Sequence, residues 1–356
     1  MQSKVYFSPL ANKKFNSPLL KIKKLLNKLE PEKYFQKKSI IAIKTHFGEL
    51  GNTAFINPVY IRPVSEVLQQ IGTNPYLTDT NTLYVGMRTN SVDHLKNAFF
   101  NGFNFSTLQI PVIIADGLRG ENSVSVEIDG MLLKSVKLAS DIVNADGMVV
   151  VSHFKGHEVS GFGGAIKNLS MGCASREGKL EMHSVSIPSV HSDRCTSCGR
   201  CLSACAHNAI TIKPKAVINN NCTGCARCIA VCPEGAIGIN WDESSENTQL
   251  KMAEYAYGVH KALKGKILYL NILTNITPAC DCYPGNDEPI TGDIGFLSST
   301  DPVALDMASF ELVKQAMKLK SDPFKEIYSY VDSLIQLKHA EQLGLGSTNY
   351  ELITLK

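Results

Sequence analysis

The chain is short of several things, and each shortage narrows its function. Its 356 residues carry a net charge of only +3, so no basic footprint for a nucleic acid is expected. Its longest apolar runs, such as Met148–Val151 and Pro111–Ala115, fall far short of a membrane span, and no membrane association is expected. The N-terminal stretch MQSKVYFSPLANKKF has no apolar centre, so no signal peptide is expected and a cytoplasmic location is the default. Apolar residues make up 44% of the chain, enough for a sizeable core. The length suggests about two domains.

Cysteine is the exception to this scarcity. Eight of the eleven cysteines fall within 38 consecutive residues, Cys195 to Cys232. In a chain expected to stay in a reducing compartment, such a cluster points to a metal cofactor rather than to disulfides. The block is an internal repeat. CTSCGRCLSACAHNAITI from Cys195 aligns without gaps on CTGCARCIAVCPEGAIGI from Cys222, with nine of eighteen positions identical. Each half has the C-x2-C-x2-C-x3-C rhythm of bacterial ferredoxins. In that pattern three cysteines wrap one [4Fe-4S] cluster and the fourth ligates the other. The expected ligands are Cys195, Cys198, Cys201 and Cys232 for cluster 1. For cluster 2 they are Cys222, Cys225, Cys228 and Cys205. Pro233 follows the fourth cysteine of the second half as the pattern requires, whereas Ala206 departs from it in the first. Structural zinc sites usually pair C-x2-C knuckles across a longer loop, which this spacing does not resemble.

Around the repeat, short apolar strands alternate with helical segments. Strands are expected at 39–44, 76–79, 112–115, 147–151, 266–271 and 294–297. Helices are expected at 17–30, 58–71, 91–100, 163–171, 247–263 and 302–318. The fold class expected is an α/β host domain with a mostly parallel sheet, residues 1–186 and 243–356. An inserted α+β 2[4Fe-4S] ferredoxin domain occupies residues 187–242. The helix at 17–30 is lysine-rich on one side, a solvated face or a docking face for an acidic redox partner.

Polar loops follow three of the expected strands. KTHFGELGNT contributes Lys44 and His46. DTNTLYVGMR contributes Asp79, Asn81 and Arg88. HFKGHEVSGFGGAIKNLSMGCASREGKLEMHS contributes His153, Lys155, His157, Lys167, Arg176 and His183, with Gly161, Gly163 and Gly164 before a helix start. Open α/β sheets bind ligands at strand ends, and a glycine-rich helix start suits an anion. His153, His157, Lys167 and His183 are the candidate catalytic residues, and Lys167 again, with the other charged, polar and glycine positions, is a candidate cofactor ligand. Cys280 and Cys282, in C-D-C, leave a third metal site, a redox pair and simple reduced thiols all open.

These blocks, with CDCYPGNDEP and SSTDPVALD, resemble the family catalogued as "domain of unknown function 362", in its branch with a ferredoxin-type insert. The resemblance spans nearly the whole chain and implies the two-part architecture without promising an activity. A weaker resemblance is to the nickel-pincer lactate racemases. Their His-Phe start, Gly-Phe-x-Gly-Gly-x-Lys centre and Asn-His end are matched in order by His153, Gly161–Lys167 and His183. That resemblance implies that Lys167 and the two histidines face a cofactor or substrate pocket.

The function expected is an iron–sulfur oxidoreductase. It would pass electrons between two [4Fe-4S] clusters and a flavin or deazaflavin in the host pocket, with a ferredoxin or flavodoxin as redox partner. The alternatives are an electron-transfer or scaffold protein without its own catalytic site, or a metal-handling maturation factor.

Overall fold

Runs of β-branched and aliphatic residues build the central sheet. Its strands are β1 (Ser3–Pro9), β2 (Ile40–Lys44), β3 (Asn74–Asp79), β4 (Val112–Ile114), β5 (Gly147–His153), β6 (Ile267–Leu273), β7 (Gly295–Ser299) and β8 (Tyr350–Thr354). The computed structural model describes residues 2–11 and 17–355, so part of the stretch read for a signal peptide lies outside the described residues. The sheet order is β8-β1-β7-β6-β5-β2-β3-β4. Strand β7 runs antiparallel to both neighbours, and every other pairing is parallel. The expected mostly parallel α/β sheet is therefore present.

Both faces of this sheet are buried, which explains why its strands read as continuous apolar runs. Met148, Val150, Tyr269 and Leu297 point into one core. Their neighbours Val149, Val151, Leu270 and Phe296 point into the other. The first face is covered by helices Ala165–Ser170, Ser245–Ala262 and Pro302–Ala316. The second is covered by Pro18–Lys28, Arg62–Gln70 and Ser91–Phe100. Helix Pro18–Lys28 starts where Ser17 Oγ accepts from Leu19 N, and it buries Ile22, Leu25 and Leu26. Lys24 and Lys28 stay exposed on it, while Lys21 turns inward to the carbonyls of Pro9 and Leu10. The helix expected at 58–71 is split into a 3-10 turn at Pro58–Tyr60 and the helix Arg62–Gln70.

The chain runs outward from β2 through β3 to β4, then returns to place β5 on the other side of β2. The carboxyl ends of β2 and β5 thus form a topological switch point, where open α/β sheets bind ligands.

Residues 187–242 leave the sheet. Ser189–Val190 pairs with Ile237–Gly238, and Ile210–Ile212 pairs with Ala216–Ile218. Short helices Arg200–Ala204 and Arg227–Val231 connect them. The repeats are offset by 27 residues, from Cys195 to Cys222. The same offset carries the first strand onto Ala216–Val217 and the first helix onto the second. The backbone repeats too. Ser197 and Gly224, Gly199 and Ala226, and Asn208 and Gly235 are left-handed at matching positions. For Ser197 and Ala226 this is a costly conformation, held by the structure around it. Asp242 ties the two ends of the segment together, accepting from Ser184 Oγ and Val185 N at 2.9 Å each.

Candidate functional site

A cavity of about 840 Å³ opens at the carboxyl ends of the parallel strands. That is ample for an organic cofactor or a sizeable substrate. The loops after β2, β3, β5 and β6 build its wall, which is why residues far apart in sequence meet there. Of the residues picked out from sequence, Lys44, His46, Asp79, Arg88, His153, Lys155, His157, Gly163, Gly164, Lys167 and His183 line it.

Asn81, Gly161 and Arg176 stand off this wall and hold the frame. Asn81 Nδ2 donates to Asp116 Oδ1 at 2.8 Å and to Gly117 O at 2.9 Å. Arg176 is buried, with Nε donating to Arg119 O at 3.0 Å and Nη2 donating to Thr89 O. Gly161, at φ +73°, has room for no side chain because Ser333 packs against it.

The glycine-rich helix start does not await an external anion. The helix is Ala165–Ser170, shorter than expected, and Ala165 N and Ile166 N donate to the two oxygens of Asp306 at 2.7 and 2.9 Å. Gly164 admits this carboxylate, which lies where a β-carbon would be. Burial pushes the Asp306 carboxyl up to about 6, against those hydrogen bonds. The anion that the motif suggested is thus supplied by the chain itself. Sequence inspection missed Asp306 because it lies 141 positions downstream of Ala165.

The floor of the cavity is a buried ionic network. Lys44 Nζ is 2.9 Å from Asp79 Oδ1 and 2.8 Å from Asn168 Oδ1. Arg88 Nε is 3.0 Å from Glu49 Oε2, its Nη1 is 2.7 Å from His46 Nε2, and its Nη2 donates to Tyr84 OH. Burial alone would raise the Asp79 carboxyl, but Lys44, His46, His94 and Arg88 outweigh it and hold it well below the usual range. His153 Nδ1 contacts both oxygens of Asp281 at 2.8 and 2.9 Å, and Nε2 faces Thr274 O at 2.9 Å. Both ring nitrogens of His153 are therefore occupied by the frame. Lys155 Nζ joins Asp281 at 3.4 Å.

Two histidines remain for work at neutral pH. Burial, with Lys167 next in importance, lowers His157 well below its ordinary value and His183 to about 3. Both rings are neutral. His157 Nδ1 accepts from Val159 N at 3.2 Å, so its Nε2 carries the proton. The ring of His183 meets Trp241 edge-on, with centroids 4.8 Å apart. Lys167 Nζ contacts Cys280 Sγ at 3.6 Å. Glu49, Tyr84, Glu158, Lys179, Trp241 and Tyr283 also line the wall, and none of these six is a residue picked out from sequence. Lys179 is held by Thr80 Oγ1 and Ala174 O at 2.6 Å each, and burial lowers it to about 8.

In the repeat segment, a small cavity is bounded by Cys195, Cys198 and Cys201 from the first half and Cys232 from the second. Matching amides face two sulfurs, Ala209 N to Cys205 Sγ at 3.3 Å and Ala236 N to Cys232 Sγ at 3.2 Å. Among the described residues, no three His, Cys, Asp or Glu side chains converge as ligands of one metal ion. Leu83, on the wall of the large cavity, and Leu180 share one apolar cluster with Cys195, Cys201 and Cys228. His191 and His207 are exposed.

The family model described as Domain of unknown function (DUF362) matches residues 41–311. The chain belongs to this family. Within the match lie the loops of the large cavity and the whole cysteine repeat. No curated protein matches the chain. Among solved structures, the lactate racemase apoprotein from Thermoanaerobacterium thermosaccharolyticum is similar at 13% identity and a TM-score of 0.40. The match covers 77% of this chain and 51% of that one. A structural-genomics protein from Thermotoga maritima is similar at 10% identity and a TM-score of 0.44, over 85% of this chain and 60% of that one. The chain thus spans between half and three-fifths of the length of these proteins. Among the described residues no helix is long and apolar enough to cross a membrane.

Proposed function

We propose that the protein is an iron–sulfur oxidoreductase. Two [4Fe-4S] clusters in residues 187–242 would exchange electrons with an organic redox cofactor of flavin or deazaflavin type in the large cavity. The observation that carries this reading is the cavity bounded by Cys195, Cys198, Cys201 and Cys232. A cysteine from the second repeat closes a three-cysteine loop of the first, as the ligand exchange of a two-cluster ferredoxin requires. A cubane spreads its thiolates over four irons, so its ligands stand farther apart than those of one ion. The left-handed positions at Ser197, Gly199, Gly224 and Ala226 turn the loops, and the amides facing Cys205 and Cys232 suit charged sulfurs. Cys222, Cys225, Cys228 and Cys205 are the corresponding second set.

The position of the segment supports the coupling. Gly224, inside the second cysteine loop, has Leu180 as its nearest neighbour, and Val85 of the cavity wall lies against Gly235. Loops that carry ligands of both clusters therefore reach toward the large cavity, through Gly224 of the second set and through Gly235 beside Cys232 of the first. There Lys155 and Lys167 would balance an anionic tail. His157 would donate a hydrogen bond from Nε2, and His183, held neutral, would hydrogen-bond the ligand without adding charge. A flavin-type group, when bound, converts single-electron exchange into two-electron chemistry. A ferredoxin or flavodoxin is the redox partner that suits such clusters.

Mass spectrometry and ultraviolet–visible spectra of protein purified without oxygen test the pocket occupant. The reading expects stoichiometric flavin or deazaflavin, or its uptake on incubation, with binding weakened at least tenfold in Lys167→Ala. Protein that carries its iron but takes up neither cofactor would leave the electron-transfer or scaffold reading instead.

A further inference from the structure

Cys280 and Cys282 take no part in the reading above, yet both sulfur-bearing residues line the large cavity. They occupy the first and third positions of a turn closed by Tyr283 N donating to Cys280 O at 3.2 Å. Adjacent α-carbons are about 3.8 Å apart. A bend therefore brings residues two apart into the roughly 4.4–6.8 Å range of disulfides.

The residue between them is clamped. Asp281 is fixed by His153 and Lys155, and its carbonyl accepts from Glu49 N at 2.9 Å. Tyr84 OH reaches Cys282 O at 3.3 Å. The turn is thus pinned on both sides while its sulfurs stay at the cavity wall.

The two cysteines are not equivalent. Cys280 is buried, and Lys167 Nζ approaches its sulfur at 3.6 Å. Cys282 is the more exposed. The hydrogen bond from Cys282, with Lys167 and Lys155, holds the Cys280 thiol well below its ordinary value despite burial. Cys282 is driven the other way. A thiolate paired with a protonated neighbour is the arrangement of a nucleophilic and a resolving cysteine.

We propose that Cys280 and Cys282 form a redox-active thiol–disulfide couple that reduces a small anionic disulfide entering the large cavity. The Cys280 thiolate attacks one sulfur of that disulfide. A mixed disulfide forms, and the first thiolate leaves. Cys282 loses its proton to that leaving group and attacks Cys280. The Cys280–Cys282 bond forms as the second substrate thiolate departs with the proton that its solvent supplies. Two protein thiols are oxidised to one disulfide, and one substrate disulfide is reduced to two thiols. Lys155 and Lys167 attract the anionic substrate. This chemistry needs neither cluster, but its substrate uses the two lysines that would hold the cofactor tail, so the disulfide and that cofactor exclude each other from the cavity.

Holoprotein is equilibrated without oxygen with oxidised glutathione, alkylated in its native state and mapped by peptide mass. The peptide holding both cysteines is expected two hydrogens lighter and unalkylated, reverting with dithiothreitol, while the visible spectrum is unchanged. Cys282→Ser is expected to accumulate glutathione on Cys280. Lys167→Gln should slow alkylation of Cys280 by iodoacetamide at pH 7 by at least tenfold, and Lys167→Arg should restore most of the rate. Two alkyl groups on that peptide after equilibration, in protein that remains folded, would overturn the proposal. So would an alkylation rate at Cys280 unaffected by Lys167→Gln.

Discussion

Lys44 Nζ lies 2.9 Å from Asp79 Oδ1, with both side chains almost wholly buried at the ends of adjacent strands β2 and β3. The pair joins the first two loops of the cavity. Removing Lys44 takes from buried Asp79 its nearest cation and leaves Arg88 at 4.0 Å, and breaking such a buried pair costs up to about 3–5 kcal/mol. Lys44→Met is therefore expected to lower the unfolding free energy by about that much, measured by denaturant titration. Lys44→Met with Asp79→Leu is expected to recover a large part of the loss, because replacing both charges removes the uncompensated one.

A second ion pair sets a pH dependence. His339 Nε2 lies 3.2 Å from Glu254 Oε1, and Glu254 also accepts from Leu132 N and Leu133 N. The hydrogen bond with Glu254 raises His339 above its ordinary value despite burial. Burial pushes Glu254 up, but His339 and the two amides outweigh it and lower it. A raised histidine stabilises fully below its unfolded value of about 6.5 and loses that contribution as pH rises through the folded value. Thermal midpoints of the wild type should thus fall between about pH 6 and pH 8 relative to those of Glu254→Gln. Parallel midpoint curves for the two proteins would refute this assignment.

Asp306 holds the helix that carries Lys167. Its loss leaves Ala165 N and Ile166 N buried without acceptors, at about 1–3 kcal/mol each. Asp306→Ala should destabilise the fold by about 2–6 kcal/mol. It should also speed hydrogen exchange at those two amides beyond the change elsewhere. Uniform acceleration across the sheet would instead mean that Asp306 supports the whole core and not this helix start.

The sheet was legible where both faces are buried. SIIAIK and GMVVV have no other reading once length and flanking turns are counted. Strand β1 and the edge strand β8 beside it were missed because SKVYFSP and YELIT lie outside the alternation of strand and helix that marked the rest of the sheet. The antiparallel pair Ser123–Glu127 and Ser135–Ala139 was missed although Asp129 and Gly130 offer a turn signal between its strands, because the seven-residue connection separates them by more than a tight hairpin does. In the site, Lys44, Lys155, Lys167 and the histidines could be found because polar residues crowded the ends of apolar strands. Arg176 looked the same in sequence, but the fold spends its guanidinium on the carbonyls of Arg119 and Thr89. Glu49, Tyr84 and Lys179 owe their places to packing between distant loops, which no local pattern announces.

The central claim is that cysteines of both repeats share each cluster. Iron and sulfide content, with electron paramagnetic resonance of the reduced protein, tests it in the wild type and in Cys232→Ser, both purified without oxygen. The account predicts about eight irons and two interacting signals in the wild type. In Cys232→Ser it predicts selective loss or alteration of the cluster held by Cys195, Cys198 and Cys201, with the other signal retained. Zinc in place of iron, or a Cys232→Ser protein that alters only the cluster held by Cys222, Cys225 and Cys228, would contradict it.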